Sequence, residues 1–141
     1  MAERKKILEI NKFRQLRSYD KRMLNKNDFD PFKNKKSFFA MTGHVVYEKL
    51  DKKNTVTHSK KIINYIRKVI GFKNILISDD LSMKSLKENI KTNTVKCFKA
   101  GCNLALHCNG NFKEMEIVAN NSPLISSFIT KKTSQFYKIL S

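Results

Sequence analysis

Two adjacent carboxylates, Asp79 and Asp80, follow an apolar run in the string NILISDDLSM. Carboxylates at the end of an apolar stretch need solvent, hydrogen-bond donors or a ligand. Ser78 precedes them, and Met83 opens the segment that follows. Two imidazoles hold comparable places: His44 in SFFAMTGHVV, and His107 in NLALHC with Asn109 just beyond. Carboxylate and imidazole are groups of nucleophilic and general acid–base chemistry. In an extended stretch neighbouring side chains point to opposite faces, so at most one aspartate faces a shared site. One reading makes Asp79 functional and Asp80 the cap of a helix that starts near Met83. The competing reading makes both of them caps. His44 reads equally well as a buried, hydrogen-bonded histidine. His107, flanked by Leu106 and Cys108, reads as structural, and His58 as a solvated residue of a polar linker. Cys97, Cys102 and Cys108 with His107 fit no standard zinc spacing. No metal and no cofactor is expected.

The elements that must position these groups repeat one physical unit. Residues 37–46 are apolar, aromatic and β-branched, and read as a strand. Residues 59–70 place Ile62, Ile63, Ile66, Val69 and Ile70 at a period near 3.6 and read as a helix. Thr57 or Ser59 caps its start, and Gly71 suits the left-handed position after its end. Residues 74–78 form a second strand, 83–100 a second helix stopped by Gly101, and 103–108 a third strand. Helical pieces follow over 112–119 and 123–140, with Pro123 in the first turn of the last. Short, wholly apolar strands alternating with helices predict a parallel sheet covered by helices. Right-handed crossovers bring all the strand ends to one edge, where such folds place their chemistry. Upstream the pattern is weaker: residues 4–17 suit a basic helix and 25–30 a turn, with packing expected from Phe32 onward.

The chain has 141 residues, 29 of them Lys or Arg against 12 Asp or Glu, for a net charge of +17. That length suits one domain and excludes a complete eightfold α/β barrel of about 250 residues. No apolar run reaches the length of a membrane-spanning helix, so no membrane span is expected. The start MAERKK lacks a following apolar stretch and reads as no secretory signal. An odd number of cysteines suits reduced thiols and a cytoplasmic location. The charge admits nucleic acid or another anionic partner. A Lys/Asn/Ile bias across a whole genome explains it as well.

Four ordered segments carry a resemblance: 29–32 (FDPF), 41–47 (MTGHVVY), 71–83 (GFKNILISDDLSM) and 100–109 (AGCNLALHCN). Together they resemble the bacterial β-N-acetylhexosaminidases of glycoside hydrolase family three, the cell-wall recycling type. The resemblance implies a TIM-type (β/α) barrel, of which this chain looks like the three C-terminal βα units, with the upstream half missing. It divides the chain into a basic segment, 1–24, and an incomplete catalytic domain, 25–141. It makes Asp79 the nucleophile and puts His44 near the substrate, with Ser78, Asp80 and Met83 as structural neighbours. The family's acid/base motif KHFPGHG and its sugar-holding residues are not found here. Gly43, Asn74, Asn103 and His107 replace Ala, Gly, Asp and an apolar residue.

A retaining glycosidase needs a nucleophile and a proton donor on opposite sides of the scissile bond. The chain carries one half of that mechanism. The expectation is a fragment of a retaining enzyme that removes N-acetylglucosamine from peptidoglycan-derived sugars, inactive alone. A muropeptide or N-acetylglucosaminide is then a substrate only if the barrel is completed, for instance by a separately encoded N-terminal half. The alternative is a small basic binding protein.

Overall fold

The computed structural model describes residues 15–17 and 20–140. Its centre is a parallel three-stranded sheet, ordered β2 (Phe39–Met41), β4 (Ile75–Asp80), β5 (Leu104–Leu106). Phe39 pairs with Ile75, and Ile77 faces both Met41 and Leu104. A second parallel pair joins β1 (Gln15–Arg17) to β3 (Val45–Tyr47). Helices follow the strands: α1 (Lys21–Leu24), α2 (Lys60–Tyr65), α3 (Ile90–Ala100), α4 (Phe112–Asn120) and α5 (Ser127–Leu140). The sheet is open, a partial and unclosed (β/α) barrel, as the repeating unit predicts. No described helix is long and apolar enough to cross a membrane.

The two faces of the sheet differ. Leu76 packs with Ile63, Phe72, Leu81, Leu86, Cys97, Ala100 and Cys102, and Ala40 and Ala105 lean on the same cluster. This is the face covered by α2 and α3. Phe39, Met41, Ile75, Ile77 and Leu104 lie on the other face by the two-residue period. Phe136 of α5 stacks edge-on against Phe39, with ring centroids 5.2 Å apart. Ile75 is buried, whereas Met41 at the far end is 57 % exposed. The inner face is therefore covered at its N-terminal end and open where the strands end.

Several elements depart from the sequence pattern for local reasons. The strand expected over 37–46 is two strands, because the chain changes partner at 42–44. Phe39–Met41 pairs with β4, and Val45–Tyr47 pairs with β1. Gln15–Arg17 is that partner strand, where spacing predicts the end of a helix; residues 4–14 of that expected helix lie outside the described residues. Residues 25–29 continue α1 as a wider helical turn rather than a loop. Phe29 is buried there with Leu24 and Ile70, against Tyr47 and Tyr65. Packing thus begins before Phe32, which is itself exposed. The helix expected from Met83 starts only at Ile90, since Asn89 accepts from the Thr92 amide at 2.9 Å. The last helix starts at Ser127 rather than Pro123. Ser59 proves to be the cap of α2, accepting from the Ile62 amide at 3.2 Å. Gly71 and Gly101 both take left-handed conformations, with φ of 82° and 116°.

Candidate functional site

The central strand β4 ends in Ser78, Asp79 and Asp80, and these three residues divide their tasks. Ser78 is fully buried, and its Oγ accepts the Leu106 amide at 2.9 Å. It replaces a ladder bond where the β4–β5 register slips between Ile77 and Asp80. Asp79 lies half-buried within that slip, at the C-terminal end of the central strand and beside the open end of the sheet. Asp79 Oδ1 accepts the next residue's amide at 2.9 Å, and Oδ2 has no partner among the described residues. Asp80 is engaged from two sides. Its carboxylate accepts the Ser82 amide at 3.0 Å, the Ser82 hydroxyl at 2.8 Å and the Cys108 amide at 3.1 Å. Burial pushes its pKa up, but these donors and His107 outweigh burial and hold it below the usual carboxylate value. Asp80 therefore closes the loop that follows β4; no helix begins at Met83, which is exposed.

A chain of buried hydrogen bonds holds the Asp79–Asp80 backbone from behind. The Asp79 amide donates to Thr42 Oγ1 at 3.3 Å. Thr42 Oγ1 lies 2.9 Å from Thr57 Oγ1, and Thr57 Oγ1 lies 2.9 Å from His44 Nδ1. His44 Nε2 donates to the Asp80 carbonyl at 2.8 Å, since a carbonyl only accepts. In the neutral ring that proton occupies Nε2 and leaves Nδ1 as acceptor. The hydroxyls then order in one direction: Thr42 donates to Thr57, and Thr57 donates to His44. His44 is 5 % exposed, and both ring nitrogens are occupied within the protein. Thr42 and Thr57 were not legible as site residues. Thr42 lies in an apolar stretch and Thr57 in a polar linker, and only the fold brings TVTH against MTGH.

Next to Asp80, the third strand contributes a clamp. His107 Nε2 lies 2.9 Å from Glu114 Oε2, which also accepts Asn109 Nδ2 at 2.6 Å. The His107 hydrogen bond, then that of Asn109, keep the Glu114 pKa low. This pair ties the end of β5 to the first turn of α4. Asn103 is similarly used: its Oδ1 accepts Arg67 Nη2 at 2.7 Å and the Leu76 amide at 2.9 Å. The amide oxygen serves both donors without the charge of an aspartate. No group of three or more His, Cys, Asp or Glu suited to a metal occurs among the described residues.

A parallel, unclosed barrel sheet with a half-buried Asp79 at the open end of its central strand sets the frame for comparison. The profile of the glycosyl hydrolase family 3 N-terminal domain matches residues 11–135. The chain belongs to glycosyl hydrolase family 3. A β-hexosaminidase of Psychromonas ingrahamii is 32 % identical over 118 residues, covering 79 % of this chain and 33 % of that protein. A β-hexosaminidase of Methylobacillus flagellatus is 32 % identical over 82 residues, covering 57 % and 24 %. The chain thus spans about a quarter to a third of the length of these family 3 relatives. Among solved structures, the native NagZ of Neisseria gonorrhoeae superposes with a TM-score of 0.69 at 26 % identity, over 83 % of this chain and 35 % of that one. CbsA of Thermotoga neapolitana reaches 0.71 at 20 % identity, over 92 % and 33 %, a likeness of fold.

The family 3 match corrects one expectation. The resemblance does not begin near residue 25, and the chain is not the C-terminal part of an enzyme lacking its upstream barrel. The matched unit is the family's N-terminal domain, and it takes in almost the whole chain from residue 11. The physical reason is visible in the fold. Gln15–Arg17 hydrogen-bonds in register with Val45–Tyr47, and Leu24 and Phe29 are buried against α2 and its continuation. These upstream residues are part of the packed unit.

Proposed function

We propose that this family 3 domain contributes the nucleophile of a retaining β-N-acetylhexosaminidase, with Asp79 attacking the anomeric carbon of an N-acetylglucosaminide. Peptidoglycan-derived sugars are the proposed substrates. The observation that carries this reading is the contrast between two neighbouring aspartates. The Asp80 carboxylate accepts from both Ser82 and Cys108, whereas Asp79 takes only its neighbour's amide and keeps one carboxylate oxygen without a protein partner at the end of the central strand. A nucleophile must be held still, and the Thr42–Thr57–His44 chain holds the Asp79 amide and the Asp80 carbonyl. His44 is thereby assigned to positioning: with its Nε2 proton given to a carbonyl, it has none to give a leaving group. The proton donor and the groups that orient the sugar come from outside this domain in the proposal.

A chromogenic N-acetylglucosaminide tests it. The assay uses the purified chain alone, and the chain mixed with a polypeptide of a curated relative carrying the segments this chain does not span. Turnover in the mixture, abolished by Asp79→Asn and retained in Asp80→Asn at reduced stability, is the expected result. Turnover that survives Asp79→Asn overturns the assignment. Silence in every mixture refutes a catalytic role for the domain.

A further inference from the structure

The positive charge is unevenly placed. From Lys52 to Ser78, and again from Asn89 to Lys113, the sequence holds no Asp or Glu. These stretches contain α2 with its continuation to Ile70, and α3. Both helices cover the same face of the sheet, with Ile63, Cys97 and Ala100 in one core cluster. Their outward sides therefore lie next to each other. Lys60, Lys61 and Lys68 are exposed on the first, Lys91 and Lys99 on the second. Eight residues of α-helix separate Lys91 from Lys99, about 12 Å. Helices packed side by side have axes about 8–10 Å apart. That is close to the screening length of about 8 Å at 0.15 M salt, so the fields of the two rows add. The carboxylates ahead of each helix are occupied. Asp51 accepts the Ser59 hydroxyl at 2.7 Å and the Lys53 and Asn54 amides, and Glu88 holds Lys96 at 2.6 Å. A compositional bias toward lysine accounts for the lysines, but not for the placing of all 12 acidic residues outside both helices.

The chemistry of this face narrows the partner. Lysine ammonium groups donate and do not accept, which suits phosphate oxygens. A single nucleic-acid strand is held by stacking on exposed aromatic rings. The aromatic side chains exposed among the described residues, Phe32, Phe112, Phe128 and Tyr137, lie on other elements. A membrane surface takes up a row of apolar side chains beside the basic ones. On these two helices Val69 is the one large apolar side chain that is exposed. A DNA duplex needs neither feature. It presents one phosphate charge per about 1.7 Å of its axis and is held through those charges.

We propose that the outward face of α2 and α3 binds the phosphate backbone of double-stranded DNA without sequence preference. This surface is independent of the role proposed for Asp79. Its test is fluorescence anisotropy of a labelled duplex of about 20 base pairs, titrated with the full chain at about 0.05 to 0.2 M sodium chloride. Two duplexes of unrelated sequence should bind alike, with a Kd on the order of 1–100 µM. The logarithm of the affinity should fall against that of salt with a slope of about −4, as for four or five phosphates engaged. Lys60→Gln, Lys68→Gln, Lys91→Gln and Lys99→Gln combined should bring the slope close to zero and weaken binding at least about tenfold at the lower salt. A control of equal charge combines Lys35→Gln, Lys36→Gln, Lys131→Gln and Lys138→Gln. Those lysines lie before β2 and on α5, which packs against the opposite face of the sheet. The control should keep the slope within about one unit. Glutamine is a good helix former, and circular dichroism checks that both variants are folded. No binding of the duplex at the lower salt overturns the proposal. So does a folded control that loses as much as the first variant, or a single strand bound more tightly than the duplex. Binding to phosphatidylserine vesicles in preference to the duplex overturns it as well.

Discussion

Thr57 sits where two polar groups would otherwise face each other across a buried gap. Its hydroxyl serves His44 Nδ1 on one side and Thr42 Oγ1 on the other, and the residue is fully buried. Thr57→Val keeps the shape and removes the hydroxyl, leaving an imidazole nitrogen unpaired. Urea unfolding should show a loss of about 1–3 kcal/mol, while Thr57→Ser retains most of the stability. Asp79→Asn should leave the unfolding midpoint unchanged, because the side chain's hydrogen bond is to the adjacent amide and an amide oxygen can still accept it. Asp80→Asn should lower it, through the Ser82 and Cys108 amides it serves. His58 adds a dependence on pH. Its folded pKa of about 4 lies below the ordinary 6.5, so the unfolded chain binds the proton more readily between those values. Stability from this residue is complete above about 6.5 and is lost as pH falls toward 4. His58→Asn should flatten the melting temperature over that window; an unaltered slope would show that the ring is solvated.

Helix ends were the most legible elements, because their chemistry is local. Ser59, Gly71 and Gly101 act at the positions their residue types suggest. Ser59 Oγ accepts the Ile62 amide and donates to Asp51 Oδ2 at 2.7 Å. Ser59→Ala should cost about 1–2 kcal/mol, read as a shift in urea midpoint without change of slope. Gly101→Ala is doubly opposed: φ is 116°, and an added Cβ would stand 3.1 Å from Ile63 Cγ2 in the main core. Its loss should exceed the roughly 1 kcal/mol that separates alanine from glycine in a left-handed turn. The elements that sequence did not reveal depend on distant partners. The break at 42–44 exists because Thr42 and His44 are drawn to Thr57 and to the end of β4. Residues 83–89 contain good helix formers, yet Asn93 Nδ2 captures the Leu81 and Glu88 carbonyls. Those bonds fix the preceding loop, and Asn89 then caps the helix. For the candidate site, the motif exposed Asp79 and Asp80, but their division of labour is set by contacts to residues 42, 82 and 108.

At the scale of the molecule, charge opposes folding. The sequence carries +17, and compacting a chain of one dominant sign raises its self-repulsion. Opposing that, Lys and Arg side chains pair with carboxylates, as in Arg17–Asp28, Lys33–Asp30 and Lys96–Glu88. Each pair involves a solvent-accessible side chain and is worth about 0–1 kcal/mol. Salt weakens both effects, so their sizes decide the outcome. Such short-range pairs have little to lose, whereas the repulsion sums over every lysine on the surface and acts over long distances. The screening length falls from about 30 Å at 0.01 M salt to about 8 Å at 0.15 M. The larger value spans a domain of this size and the smaller one does not. The melting temperature of the dilute chain should therefore rise across that interval of sodium chloride and level off once neighbouring charges are screened. A melting temperature that falls with sodium chloride would mean that the few ion pairs, rather than the excess of lysine, dominate the electrostatics of this fold.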